Sequence, residues 1–217
     1  MVTSTTTLPK PEFWDEACKA LMKRDRILRR LIPQHGPEHL GVAGAPFITL
    51  ARAIVGQQIS QKAAEAIWQR LISACARRVS PTSILRLSEE QLRTVGLSKS
   101  KSVYMLDLAR HFSERKVKPK AWSTMDDDAI ITELCAIRGI GRWTAEMLLI
   151  FNQGRPDVLP LDDLGLMKAI SLHYFSGEPV SRFEAREVAQ AWAPWRTVAT
   201  WHLWRSLDGG AVQYGTT

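Results

Sequence analysis

Ile137-Arg138-Gly139-Ile140-Gly141-Arg142-Trp143-Thr144-Ala145 is the stretch that decides the fold of this 217-residue chain. An apolar run from Thr132 to Ile137 leads into it, and a strongly helical run from Ala145 to Phe151 leads out. Two glycines one residue apart between helical runs predict a helix, a tight hairpin and a second helix. Gly139 and Gly141 are both expected to supply positive φ and close backbone approach, so that the N–H groups opening the second helix converge on an anion. Taken alone, Gly-Ile-Gly is a turn between two core helices. Eighteen residues past Ala145, however, stands Asp163, the second of a carboxylate pair with Asp162.

Composition frames the partner. A chain with 45% hydrophobic residues can build one large core or two smaller ones. Twenty-nine Lys and Arg against 22 Asp and Glu leave a formal charge of +7, which suits a polyanion. Cys18, Cys75 and Cys135 are scattered and odd in number, so the spacing offers neither a disulfide framework nor a Cys-x-x-Cys metal site. A four-cysteine iron–sulfur cluster is excluded by the same count. No apolar run reaches bilayer length, and Met1 to Lys10 lacks a signal-peptide core and reads as a short disordered leader. A cytoplasmic protein with no membrane partner is expected.

Periodicity along the chain is helical throughout. Phe13, Trp14, Ala17, Leu21, Ile27, Leu28 and Leu31 recur at three- and four-residue steps and predict one or two amphipathic helices; the Gly/Pro-rich Pro33 to Pro46 is a loop and a candidate boundary. A helix from Pro46 to Val55 ends at Gly56-Gln57-Gln58-Ile59-Ser60, which by composition is an ordinary turn, and Ser60 is placed to cap the next helix. Pro81 to Val95 gives a short helical pattern, with Ser88 before Glu89 and Glu90 as a helix start and Gly96 ending it, followed by a helix with a basic tail. Within that helix, Lys99 and Lys101 are secondary candidates for an anion contact. Asp126 to Asp128 read as a cap and dipole complement. The pair Asp162-Asp163 opens another helix, and one of the two acids must cap it. The last helical segment breaks near Pro194 and holds Trp192, Trp195, Trp201 and Trp204, of which Trp192 and Trp195 read as core. No alternating strand pattern is present, so the fold is expected to be all-α.

The pattern apolar-x-Gly-apolar-Gly-x-x-Thr-Ala with a downstream Asp resembles the helix-hairpin-helix DNA glycosylases, and Gly141-Arg142-Trp143-Thr144-Ala145 is most similar to their 3-methyladenine DNA glycosylase II (alkylpurine) branch. The likeness runs from about Pro46 to Leu207. It implies two helical subdomains flanking a DNA-binding cleft, one over residues 46–156 and one over 1–45 plus 157–217. By the same resemblance the DNA-binding residues are Gln58, Gly139, Gly141, Arg142 and Thr144. Gln58 would be the wedge that fills the gap left by an extruded base. Trp204 matches the family pattern Trp-Arg-x-x-Ala-x-x-His-x-Trp, here Trp195 to Trp204, and with Trp143 would wall the base pocket.

Cleaving an N-glycosidic bond develops positive charge on the sugar, so one fixed anion near C1′ is required. A purine alkylated on a ring nitrogen is already cationic and leaves readily, and an indole face favours it over a neutral base. The residues leave the two acids equivalent; the resemblance gives Asp163 the catalytic role and Asp162 the cap. Glycosylases of this family that also cut the strand carry a Lys two residues after the second hairpin glycine, where this chain has Trp143, so a monofunctional enzyme is implied. The expected partner is double-stranded DNA containing alkylated bases, bound by a monomer. No metal or cofactor is expected beyond the monovalent cation that the resemblance allows at the hairpin carbonyls. Two other readings stay open: a non-catalytic helix-hairpin-helix DNA-binding module, and a glycosylase for a deaminated or mismatched base.

Overall fold

A computed structural model describes residues 9–42 and 44–207; all but the last two residues of the expected leader lie outside the described residues. Among the described residues twelve α-helices follow one another and no strand is present. They are α1 (Trp14–Arg24), α2 (Arg26–Leu31), α3 (Pro46–Gly56), α4 (Gln61–Ala74), α5 (Pro81–Leu85), α6 (Glu89–Thr94), α7 (Lys99–Ser113), α8 (Asp127–Cys135), α9 (Arg142–Phe151), α10 (Leu164–Tyr174), α11 (Arg182–Gln190) and α12 (Arg196–Arg205). The chain divides into two compact units, one of residues 44–148 and one formed by the segments before and after it, so the second division falls inside α9 rather than at residue 156.

In the unit of residues 44–148, helix starts follow from local chemistry. Ser60, Ser80, Ser88, Ser98 and Asp126 each accept a backbone N–H from the first turn of the helix they precede, and Pro46 and Pro81 stand in the first turns of α3 and α5. The segment Pro81 to Val95 is two helices, the second starting at Ser88 as expected, where Ser88 and Gln91 form a capping box. Helix α7 packs on α3, α5 and α6, burying Met105, Leu108 and Ala109 among Leu50, Ile54, Ile84 and Leu92. Lys101 is turned inward: its Nζ donates to the Val55 carbonyl at 2.8 Å, capping the C-terminal end of α3, and burial holds its pKa below the usual lysine range.

The other unit is organised around α12, in which Thr197 to Trp204 are all buried. α1, α2 and α10 pack on it. Asp25 separates α1 from α2 and caps α2 through the N–H groups of Ile27 and Leu28, at 2.8 and 3.0 Å. Its other oxygen takes the Tyr174 hydroxyl at 2.8 Å and the Trp192 indole N–H at 3.1 Å, so this buried carboxylate ties α2, α10 and the segment after α11 together. Trp192 is core as expected, whereas Trp195 is only half-buried and stacks on Phe13 at 5.7 Å.

Candidate active site and nucleic-acid interface

The hairpin is clamped by α7, two residues of which the sequence reading left unassigned. Asp107 Oδ2 accepts the Arg138 N–H at 2.8 Å, and the Tyr104 ring lies directly against Gly139. Gly139 has φ +81°, and a Cβ there would meet the Tyr104 ring at 2.2 Å, so this position requires glycine twice over.

Gly141 corrects the expectation that both glycines supply positive φ. Its φ is outside the left-handed region, and a Cβ there would meet nothing within 4 Å. The physical reason is position: Gly141 already carries the carbonyl that accepts the first bond of α9, from Ala145 N–H at 3.1 Å, so it leads into helical backbone instead of turning. The first turn of a helix has no intrahelical acceptor for its N–H groups, and the space beside Gly141 at that end is open. Such an end attracts an anion by dipole and by donors together.

The other hairpin residues differ in what they offer. Arg142 is largely exposed, but its guanidinium is engaged: Nη2 reaches Asp128 Oδ1 at 3.1 Å and Nε reaches Glu146 Oε1 at 3.0 Å, and the bond to Asp128 chiefly raises its pKa. Thr144 is buried, so its side chain belongs to the packing of α9 and only its backbone lies at the helix end. Trp143 is half-buried.

The turn after α3 belongs to the same unit as the hairpin and is bonded to it. Gln57 Nε2 donates to the Gly139 carbonyl at 2.9 Å. Its neighbour Gln58 is exposed and adopts φ +56°, a left-handed conformation that a side chain tolerates only at a cost of about 1–2 kcal/mol. Gln58 is thus held out at the tip of a turn whose base is tied to the hairpin.

In the second unit, Asp163 and Trp204 come together. Asp163 is buried and is the N-cap of α10: its Oδ1 accepts the Leu166 N–H at 2.7 Å and, at the same distance, the Trp204 indole N–H. This corrects the assignment of the cap to Asp162. Asp162 is exposed and pairs with Arg182 Nη2 at 2.6 Å, while the extended backbone at Asp163 aims its carboxylate back at the first turn. One buried carboxylate oxygen therefore serves both the helix cap and the Trp204 indole. Trp204 is itself buried, stacked on Phe151 with ring centroids 5.8 Å apart and planes 12° off parallel, so one indole face is covered. Gly165, the second residue of α10, lies against both partners of the Asp163–Trp204 bond.

Sequence reasoning missed Gln57, Tyr104, Asp107, Phe151 and Gly165. An isolated glycine in a helical pattern was a readable signal for the last of these. The others act through packing partners distant in sequence and left none.

These features define a helix-hairpin-helix protein with a buried, helix-capping acid in its second unit. Residues 51–194 match the model of the HhH-GPD superfamily base excision DNA repair proteins, and the chain belongs to that superfamily. It is 32% identical to DNA-3-methyladenine glycosylase 1 of Schizosaccharomyces pombe, over 93% of this chain and 88% of that one. Among solved structures it is similar to a DNA-3-methyladenine glycosidase from Bacillus halodurans, with 34% identity, a TM-score of 0.82 and 88% of each chain covered. It is also similar to the S. pombe 3-methyladenine DNA glycosylase Mag1 in complex with abasic DNA, with 29% identity, a TM-score of 0.78, and 88% of this chain and 96% of that one covered.

Proposed function

We propose that this chain is a monofunctional DNA glycosylase that extrudes alkylated purines of the 3-methyladenine and 7-methylguanine type from duplex DNA and hydrolyses their N-glycosidic bond. The observation that carries the reading is Asp163: a buried carboxylate whose Oδ1 is fixed by a peptide N–H and an indole N–H, both at 2.7 Å. A charge so held need not reorganise when positive charge develops on the deoxyribose. In the step itself the C1′–N bond breaks with its electron pair leaving on the base, so a cationic alkylated purine departs neutral. Water then bonds to C1′ and gives up a proton, which Asp163 accepts or passes to solvent.

The remaining residues take roles around that step. The α9 end with Gly139 and Gly141 grips a backbone phosphate through N–H groups, Gln58 fills the gap in the duplex, and Trp143 and Trp204 bear on the base. Arg142 serves DNA binding only on exchanging a carboxylate partner for a phosphate. Trp143 in place of a lysine supports hydrolysis without a Schiff base. The Gly139 carbonyl already accepts Gln57 Nε2, and the Ile137 carbonyl accepts the Ile140 N–H at 3.1 Å. A monovalent cation on these oxygens would share their second lone pairs and would support hairpin shape. The enzyme would act as a monomer where the chromosome lies, in bacterial cytoplasm at the nucleoid or in a eukaryotic nucleus.

The test is incubation with methylated duplex DNA and chromatography of the released bases. Free 3-methyladenine or 7-methylguanine with an intact, alkali-labile strand is expected. Release of uracil or hypoxanthine alone would move the substrate to deaminated bases, and binding without any release would leave a DNA-binding module.

A further inference from the structure

We propose that Gly165 is a positioning residue, whose missing Cβ lets the Asp163 carboxylate and the Trp204 indole close on each other. The inference rests on the proposed catalytic role of Asp163. Gly165 sits in the first turn of α10, between Leu164, which is exposed, and Leu166, which is fully buried. Its φ lies outside the left-handed region, so the backbone itself does not call for glycine. Glycine inside a helix costs roughly 1 kcal/mol relative to alanine. Something other than helix geometry selects it.

The surroundings of the absent Cβ identify that constraint. The three heavy atoms nearest to it all belong to the Asp163–Trp204 pair: Asp163 Oδ1 at 3.1 Å, Trp204 Cδ1 at 3.3 Å and Trp204 Nε1 at 3.4 Å. The first two are closer than ordinary van der Waals contact, so a methyl group would push the carboxylate and indole by a few tenths of an ångström. Neither partner has room to yield without losing a contact. Asp163 is held by the Leu166 N–H, and Trp204 is buried and stacked on Phe151. The shift would therefore fall on the 2.7 Å bond between them, and with it on the direction of the charge. Because a misplacement of 1 Å can cost on the order of 10²-fold in rate, a few tenths of an ångström are expected to cost about tenfold.

The same substitution should help the helix while harming the site, and that opposition is the test. Gly165→Ala is compared with the parent in thermal melting, in binding to duplex DNA, and in single-turnover excision of 7-methylguanine at saturating enzyme. The expected result is a melting temperature held or raised, unchanged duplex affinity, and a rate about tenfold lower. Trp204→Phe, which removes the indole donor, should be combined with it. If Gly165 acts through the bond, adding Gly165→Ala to Trp204→Phe should cost less than about twofold more. A parental rate for Gly165→Ala, a rate loss paralleled by a lower melting temperature, or losses that simply multiply in the double variant would each overturn the proposal. Asp163→Asn is measured alongside. An inactive Asp163→Asn with a fully active Gly165→Ala defeats this inference alone, whereas a fully active Asp163→Asn defeats the reading of the site and this inference with it.

Discussion

Trp204 donates its indole N–H to the same oxygen of Asp163 that caps α10, at 2.7 Å, so one carboxylate oxygen anchors both the helix and the indole. Asp163→Asn keeps an oxygen in that place and removes the charge. The variant is expected to fold and to bind duplex DNA at least as tightly as the parent, since a negative charge near phosphates is lost. Its single-turnover excision should fall on the order of 10²–10³-fold. Asp162→Asn loses only an exposed pair with Arg182, an interaction worth about 0–1 kcal/mol, and should excise at close to the parental rate. An inactive Asp162→Asn beside a normal Asp163→Asn would exchange the two assignments.

The two hairpin glycines should fail differently. Gly139→Ala must accommodate φ +81° and a 2.2 Å approach to the Tyr104 ring, so stability should drop by at least about 2 kcal/mol and the melting temperature by several degrees. Gly141→Asp meets neither constraint and should melt as the parent does, because its Cβ would meet nothing within 4 Å beyond its own chain neighbours. Its loss is in binding: a carboxylate at the helix end displaces and repels a phosphate held by N–H groups. Affinity should fall about tenfold or more, equally for damaged and undamaged duplexes. Unchanged affinity of Gly141→Asp in a filter or anisotropy assay would place the phosphate elsewhere.

Much of this was readable in the sequence, and the parts that were not share a cause. Helix starts at Ser60, Ser88 and Asp126 depend on bonds that span three residues, so the sequence carries them nearly complete. The two-glycine hairpin was legible as a hairpin, yet the close approach at Gly139 depended on Tyr104, 35 residues earlier, and the helical lead-in at Gly141 on its bond to Ala145. Asp162 and Asp163 are alike as residue types, and the ψ of 115° at Asp163 separates them in the fold. Gln57 and Phe151 gain their meaning only from partners brought close by packing, and the isolated glycine that marked position 165 did not name its partners, Asp163 and Trp204.

Acid should weaken the fold through a residue outside the site. His202 is 1% exposed, with Nδ1 2.9 Å from His35 Nδ1 and Nε2 3.5 Å from Cys18 Sγ. Burial first, then His35 and Arg205, push its pKa down to about 3, and burial lowers that of His35 as well. The fold thus keeps His202 neutral, while the unfolded chain takes up a proton near pH 6.5. The contribution is present in full above about pH 6.5 and is lost progressively as pH falls toward the folded value. The melting temperature should decline across that window, and His202→Gln should flatten the decline. A parallel pH profile for His202→Gln would show that other groups control acid sensitivity.

Gln58 offers a separation of fold from function at a single residue. It is exposed, stands at φ +56°, and follows Gln57, whose side chain holds the turn to the hairpin through the Gly139 carbonyl. Gln58→Gly relieves the left-handed conformation but loosens the unfolded chain, two effects of about 1 kcal/mol that oppose each other. The melting temperature should therefore stay near the parental value. What disappears is the side chain that would occupy the space of an extruded base. In duplex DNA the helix can then close and return the base to the stack, whereas a single strand has no stack to restore. Excision from duplex should fall about tenfold or more, and excision from single-stranded substrate should change little. Gln57→Ala, which leaves Gln58 present but frees the turn from the hairpin, should give an intermediate loss with the same bias toward duplex. The measurement is the ratio of single-turnover rates on the two substrates for each variant. Equal losses on duplex and single strand would mean that the turn supports the fold and not the opening of DNA.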